Sequence, residues 1–170
     1  MTPMPSSRST GFTLLEHLIA LTILAILTTI AAPVLTKMLQ NAQDQAAMEK
    51  LNTLLHLARS QAVEHRKTLR LCPSKDGIDC TTDWSEPWLL STEQNQKLYH
   101  SRPYSGASPL RWTGFSDALR FHGNGTSPTS NGRFYICNEQ IITQQLVINR
   151  QGRIRRSAPR ENQEQSYRCL

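Results

Sequence analysis

The chain has 170 residues, 38% of them hydrophobic and 19% charged, with a net charge of +6. That size suits one modest domain and excludes a multidomain machine, and the apolar content excludes a disordered chain. The charge is uneven: residues 1–117 hold 11 Lys and Arg against 10 Asp and Glu, whereas residues 118–170 hold 8 Arg against 3 Glu, which makes a polyanion a candidate partner.

The first element is apolar. Leu18 to Ala32 carry no charge, and the 24 positions from Phe12 to Leu35 span about 36 Å as a helix, enough to cross a bilayer. A secretory signal peptide is the rival reading, weakened because Ala31-Ala32 runs straight into Pro33 and helix-forming sequence continues beyond. Pro33 should bend the helix or open it locally. Glu16 is the anomaly, since an unpaired carboxylate in lipid costs several kcal/mol. A cut after Gly11 would make the amino group of Phe12 a cation, which a neighbouring copy offers to Glu16. The charge then has a use only in an assembly.

Past Leu35 the sequence turns polar. Met38, Ala42 and Ala46 mark one stripe, and Leu51, Leu54, Leu55, Ala58 and Ala62 continue at helical spacing, a face that packs against the chain's own domain. Residues 35–48 stay exposed as a neck. From Lys67 the period changes to that of short strands: Thr68–Cys72, Leu98-Tyr99, Leu110–Trp112, Ala118–His122, Arg133–Cys137, Gln145–Ile148 and Arg153–Arg155. An apolar patch from Trp84 to Leu90 is broken by Pro87, and Gly123–Gly132 reads as a flexible loop. One long helix followed by many strands predicts an α+β fold with an antiparallel sheet laid on that helix.

Four cysteines allow three pairings. The spacing permits Cys72–Cys80, which leaves Cys137–Cys169 to tie the tail to the sheet, worth about 3 to 4 kcal/mol on the chain-entropy estimate. The five histidines, His17, His56, His65, His100 and His122, are scattered and meet no catalytic pattern, so no enzyme and no cofactor is expected. Asp76, Asp79, Asp83 and Glu86 crowd one loop without the interval of a calcium loop and read as a solvated acidic turn, so no metal is expected.

Gly11-Phe12-Thr13-Leu14-Leu15-Glu16 resembles the class III signal of type IV pilins and type II secretion pseudopilins. The resemblance implies a prepilin peptidase that cuts after Gly11 and methylates Phe12, with Glu16 serving assembly. His17 departs from the usual aliphatic residue. It implies four segments: a leader at 1–11, a transmembrane and filament-core helix at 12–35, its amphipathic second half at 36–66, and a periplasmic β domain at 67–170. Arg8 then lies on the cytoplasmic side of the inner membrane. Trp84 with Trp88, the strand Phe134–Cys137 and the turn-strand Gly152-Arg153-Ile154-Arg155 are together similar to the GspH/FimT branch of minor pilins and pseudopilins. In that branch FimT-like members capture DNA through C-terminal arginines in natural transformation, and GspH-like members belong to the tip of a secretion pseudopilus.

Arg150, Arg153, Arg155, Arg156 and Arg160 fall within eleven positions with no acidic residue among them. Asn149-Arg-Gln-Gly152 reads as a hairpin tip, after which alternation puts Arg153 and Arg155 on one face, Ile154 toward the core and Arg156 opposite. Arginine's planar fork suits phosphate. The expected role is backbone capture of double-stranded DNA at about three or four phosphates, a salt slope of about −3, with Tyr135 and Tyr167 the nearby stacking candidates. The alternative is a filament-tip or priming subunit, partnered by other pilins, whose arginines make subunit contacts or pair with Glu161 and Glu164.

Overall fold

A computed structural model describes residues 13–170, so the expected leader and the processing pair Gly11 and Phe12 lie outside the described residues. The chain divides into a unit that ends at Leu39 and a second unit, Gln40–Leu170. Helix α1, Leu14–His65, contributes to both.

In the first unit every described side chain is exposed. The helix starts on a cap, with Thr13 Oγ1 accepting the Glu16 N–H at 3.3 Å. Thr13 and Glu16 have the spacing of a capping box, of which only the bond to Thr13 Oγ1 forms among the described residues. Along the apolar run, the hydroxyls of Thr22, Thr28, Thr29 and Thr36 donate to the carbonyls of Ile19, Ala25, Ile26 and Ala32. Each polar atom is thereby satisfied within the helix, as a lipid or subunit environment requires. Pro33 stands inside α1 without ending it.

The second unit has a core. Ala47, Met48, Leu51, Leu54, Leu55, Ala58 and Ala62 of α1 are buried, which includes the whole stripe expected from Leu51 to Ala62. Ala42 and Ala46 are exposed; the buried face starts instead at Asp44 and Ala47. The core is shared with β1 (Leu69–Pro73) and β2 (Trp88–Thr92), while β3 (Lys97–His100) pairs with β2 and stays outside it, and with β4 (Leu110–Gly114), β5 (Leu119–Phe121), β6 (Gly132–Asn138), β7 (Ile141–Ile148) and β8 (Ile154–Arg156). A short helix α2, Pro159–Glu164, and a 3₁₀ turn, Ser166–Cys169, close the chain.

The expected α+β architecture stands, with its strands divided between two antiparallel sheets, β3-β2-β1-β5 and β4-β6-β7-β8. The consecutive strands β4 and β5 part company: Leu119 pairs with Leu71 in the first sheet, and Leu110 pairs with Ile136 in the second. Between them, Ser116 accepts the Trp112 Nε1–H at 2.8 Å and donates to Ala118 O, which shapes the crossing. Trp84 packs edge-on to Phe134 at 4.5 Å and Phe134 lies 4.4 Å from Trp112, joining the second sheet to the common core.

Both disulfides form as expected, Cys72–Cys80 and Cys137–Cys169. The segment Gly123–Gly132, expected to be flexible, is anchored. Arg59 of α1 donates to Gly125 O at 3.0 Å, Ser127 N to Arg150 O at 2.9 Å and Arg120 N to Ser130 Oγ at 3.1 Å. Ser127 and Ser130 are buried and bond to the Arg150 loop and to β5, while Asn124 and Thr129 stay exposed, a division that composition alone does not distinguish from a solvated loop.

Candidate functional site

The β7–β8 hairpin is built by its own sequence. Gly152 N donates to Asn149 O at 2.9 Å and Asn149 N to Arg153 O at 3.2 Å, while the Asn149 side chain accepts from Arg153 N at 2.8 Å. Gly152 takes φ +73°, the left-handed residue that ends a three-residue hairpin loop. A Cβ there would stand 2.1 Å from Gly125 O, so glycine is needed for both conformation and space. Docked in this way, the tip holds Arg150 and Arg153 in solvent, and neither has an ion pair or hydrogen-bonded carboxylate among the described residues.

Alternation along β8 follows expectation. Ile154 is buried, Arg153 and Arg155 are exposed, and Arg156 shares the face of Ile154, where it pairs with Glu49 of α1. Arg155 makes a two-pronged pair with Glu161, at 2.7 and 3.0 Å. Arg160 pairs with Glu164 at 3.1 Å, one turn along α2. The five sequence-predicted arginines therefore separate: two free at the hairpin tip, one clamped beside it, and two committed elsewhere.

Two arginines that sequence reasoning missed join the first three. The register sets Arg133 of β6 opposite Val147, and Val147 opposite Arg155, across one face of the second sheet. Adjoining depressions on this face are lined by Arg133 and Arg150, by Arg153 and Arg155, and by Arg133 and Arg168. Arg168, held by Gln165 at 3.1 Å and stacked on the Tyr167 ring, arrives through the segment pinned by Cys137–Cys169. Strand position marks Arg133 as outward-facing, but its strand partners could not be read from sequence. Tyr135, a stacking candidate, is 6% exposed and unavailable to a base, whereas Tyr167 is 58% exposed.

The electrostatics of the face centre on Glu161. The Arg155 hydrogen bond, with added attraction from Arg155 and Arg133, holds its carboxyl below the usual range against a smaller opposing effect of burial. It therefore stays ionised to a lower pH than an ordinary glutamate. Elsewhere, Asp76 accepts from Ile78 N and Asp79 N at 2.9 and 3.1 Å, and those backbone bonds hold its carboxyl low. Glu86 pairs with Lys75 at 3.1 Å. The acidic loop uses these carboxylates to fix its own turns, and among the described residues no three His, Cys, Asp or Glu come together as metal ligands. Asp44, buried on α1, accepts from Ser108 N at 2.9 Å. Tyr104 beside it donates to Ser108 O at 2.8 Å, and burial, then the Asp44 charge, raises its pKa.

Comparison with known proteins follows the same outline. A prokaryotic N-terminal methylation motif matches residues 6–32. Two crystal forms of the type IV minor pilin FimU of Pseudomonas aeruginosa, strain PAO1, share the fold. One is 25% identical over 70% of this chain and 91% of FimU, with a TM-score of 0.58. The other is 26% identical over 68% of this chain and 94% of FimU, with a TM-score of 0.53. Curated proteins gave no match. The family described as type II transport protein GspH matches residues 47–152, well over half of the chain, and with the methylation motif ahead of it this membrane-anchored, pilin-like chain belongs to the GspH family.

Proposed function

We propose that the protein is a minor subunit of a type IV pilus that captures double-stranded DNA for uptake in natural transformation. A prepilin peptidase cuts after Gly11, and Phe12 becomes the amino terminus. Glu16 and the apolar helix place the subunit near the pilus tip from the inner membrane, with the folded unit in the periplasm. The observation that carries the DNA reading is the arginine face: Arg133, Arg150, Arg153, Arg155 and Arg168 line adjoining depressions. Planar forks spread over such a surface contact phosphates without reading bases. Arg156 and Arg160 are left out because Glu49 and Glu164 hold them.

The test is fluorescence anisotropy of the full chain in detergent with a labelled duplex. Affinity should fall with salt at a slope of about −2 to −3, and Arg150→Ala with Arg153→Ala should weaken binding roughly tenfold or more. Binding that ignores salt, or a double variant that binds as tightly as the parent, overturns the reading. The second reading, a pilus or pseudopilus tip subunit without DNA, is favoured by the ion pairs that already occupy Arg155, Arg156 and Arg160.

A further inference from the structure

The arginine face carries a carboxylate where a phosphate would bind. The Glu161 oxygens take Nη1 and Nη2 of Arg155 at 2.7 and 3.0 Å, the two-pronged geometry that phosphate oxygens also adopt. Its Oε1 lies 4.0 Å from Nη1 of Arg133, and that nitrogen is shut from solvent with no hydrogen bond among the described residues. Arg133 and Arg155 flank Val147, so one carboxylate spans three strands of the sheet. Arg133 thus has an unmet donor aimed at an acceptor slightly too far away. A phosphodiester also has two charged oxygens but sets them wider apart than a carboxylate does, which suits it to reach both guanidinium groups.

The element that delivers Glu161 is short and lies at the surface. Helix α2 buries none of its own residues, and its N-cap, Ala158, supplies no side-chain cap. Its ties are the Arg155 pair, the contact of Ser157 Oγ with Asn162, the bond from Asn162 Nδ2 to Thr143 O at 3.5 Å, that from Ile142 N to Ser166 Oγ at 3.0 Å just past the helix, and the disulfide beyond it. The Arg155 side of the pair is 45% exposed and Glu161 a quarter exposed, so an anion that replaces both bonds to Arg155 exchanges with the carboxylate at small net cost.

We propose that Arg133 and Arg155 form a phosphate subsite that Glu161 fills in the free protein, and that a DNA phosphodiester enters by displacing this carboxylate. The inference rests on the DNA-capture reading. Arg150 and Arg153 make the first contact at the exposed tip, and the Arg133–Arg155 fork becomes available only to a polyanion already held there. Glu161 acts as a built-in competitor, which disfavours small anions arriving singly and favours long phosphate chains.

The experiment uses the full chain in detergent, with labelled duplex DNA as one probe and inorganic tripolyphosphate as the other. Glu161→Gln should bind duplex about three- to tenfold more tightly and steepen the salt slope by about 0.9, one further phosphate. Glu164→Gln, the same loss of charge one turn away, should change affinity less than about twofold. Adding Arg155→Ala to Glu161→Gln should remove the gain. The subsite is overturned if Glu161→Gln and Glu164→Gln tighten binding alike. It is also overturned if Glu161→Gln gains nothing while Arg150→Ala with Arg153→Ala still abolishes binding, a result that leaves DNA capture standing. Tripolyphosphate binding by Glu161→Gln without duplex binding keeps the subsite and discards DNA as its ligand; binding of neither probe discards both.

Discussion

Helix α1 is apolar on every face in its first half and on one face in its second, yet residues 14–39 leave every described side chain exposed, while Leu51, Leu55, Ala58 and Ala62 are completely buried. The difference lies in what the chain supplies as a partner: the second half meets two sheets of its own unit, and the first half has hydroxyls turned back onto its own carbonyls and an apolar surface left over. A soluble monomer does not carry that much exposed apolar side chain. The first half is shaped for lipid and for other subunits, and the second for its own core. Variants in the two halves should accordingly fail in different assays.

The largest effect belongs to the buried half. Leu55→Ala leaves a cavity at a fully buried position and should lower unfolding stability by about 3 kcal/mol. Urea unfolding followed by the fluorescence of Trp84, Trp88 and Trp112 measures it, and a loss below about 1 kcal/mol would mean that α1 is less tightly packed against the sheets than the burial indicates. Next comes Gly152→Ala. A left-handed φ of +73° and the Gly125 carbonyl 2.1 Å from the new methyl predict a loss of about 1 to 3 kcal/mol. The same change should weaken duplex binding, because the hairpin that presents Arg150 and Arg153 has to shift. Full stability together with unchanged DNA affinity would separate the tip from its anchor on the Gly123–Gly132 segment.

These two positions also show how far the sequence could be read. Leu55 was legible, because its neighbours Leu51, Leu54, Ala58 and Ala62 repeat at helical spacing and a buried stripe has no other periodic explanation. The hairpin at Asn149–Gly152 was legible for a similar reason, since asparagine and glycine at those places dictate a turn. The partner of that turn was not, as Gly125 lies far away in sequence. The same limit split the basic cluster. Strand alternation placed Arg153, Ile154 and Arg155 on their faces, but which carboxylate meets which arginine depends on α2 folding back and on Glu49 of α1 lying over the core face beside Arg156. Arg133 joined the site only through the β6-β7-β8 register. Division of the strands into two sheets was hidden likewise: alternation reports the face of a residue and is silent about which strand lies beside it.

The smallest effect on the folded unit is expected at Glu16, and its smallness is the point. Glu16 is exposed near the start of α1, and its backbone N–H is capped by Thr13 whatever its side chain. Glu16→Ala should therefore leave the unfolding free energy of the Gln40–Leu170 unit, and with it the urea midpoint, unchanged to within about 0.5 kcal/mol of stability. In cells the same variant should still be processed by the peptidase but enter filaments poorly, since a neighbouring amino terminus loses its countercharge. Immunoblots of sheared filaments against whole cells read this directly. Normal incorporation would reject the charge pairing, and a shifted urea midpoint would show that the exposed half of the helix supports the folded unit. If the stability holds and the incorporation falls, the division of α1 is one of purpose, with the carboxylate serving contacts that only an assembly contains.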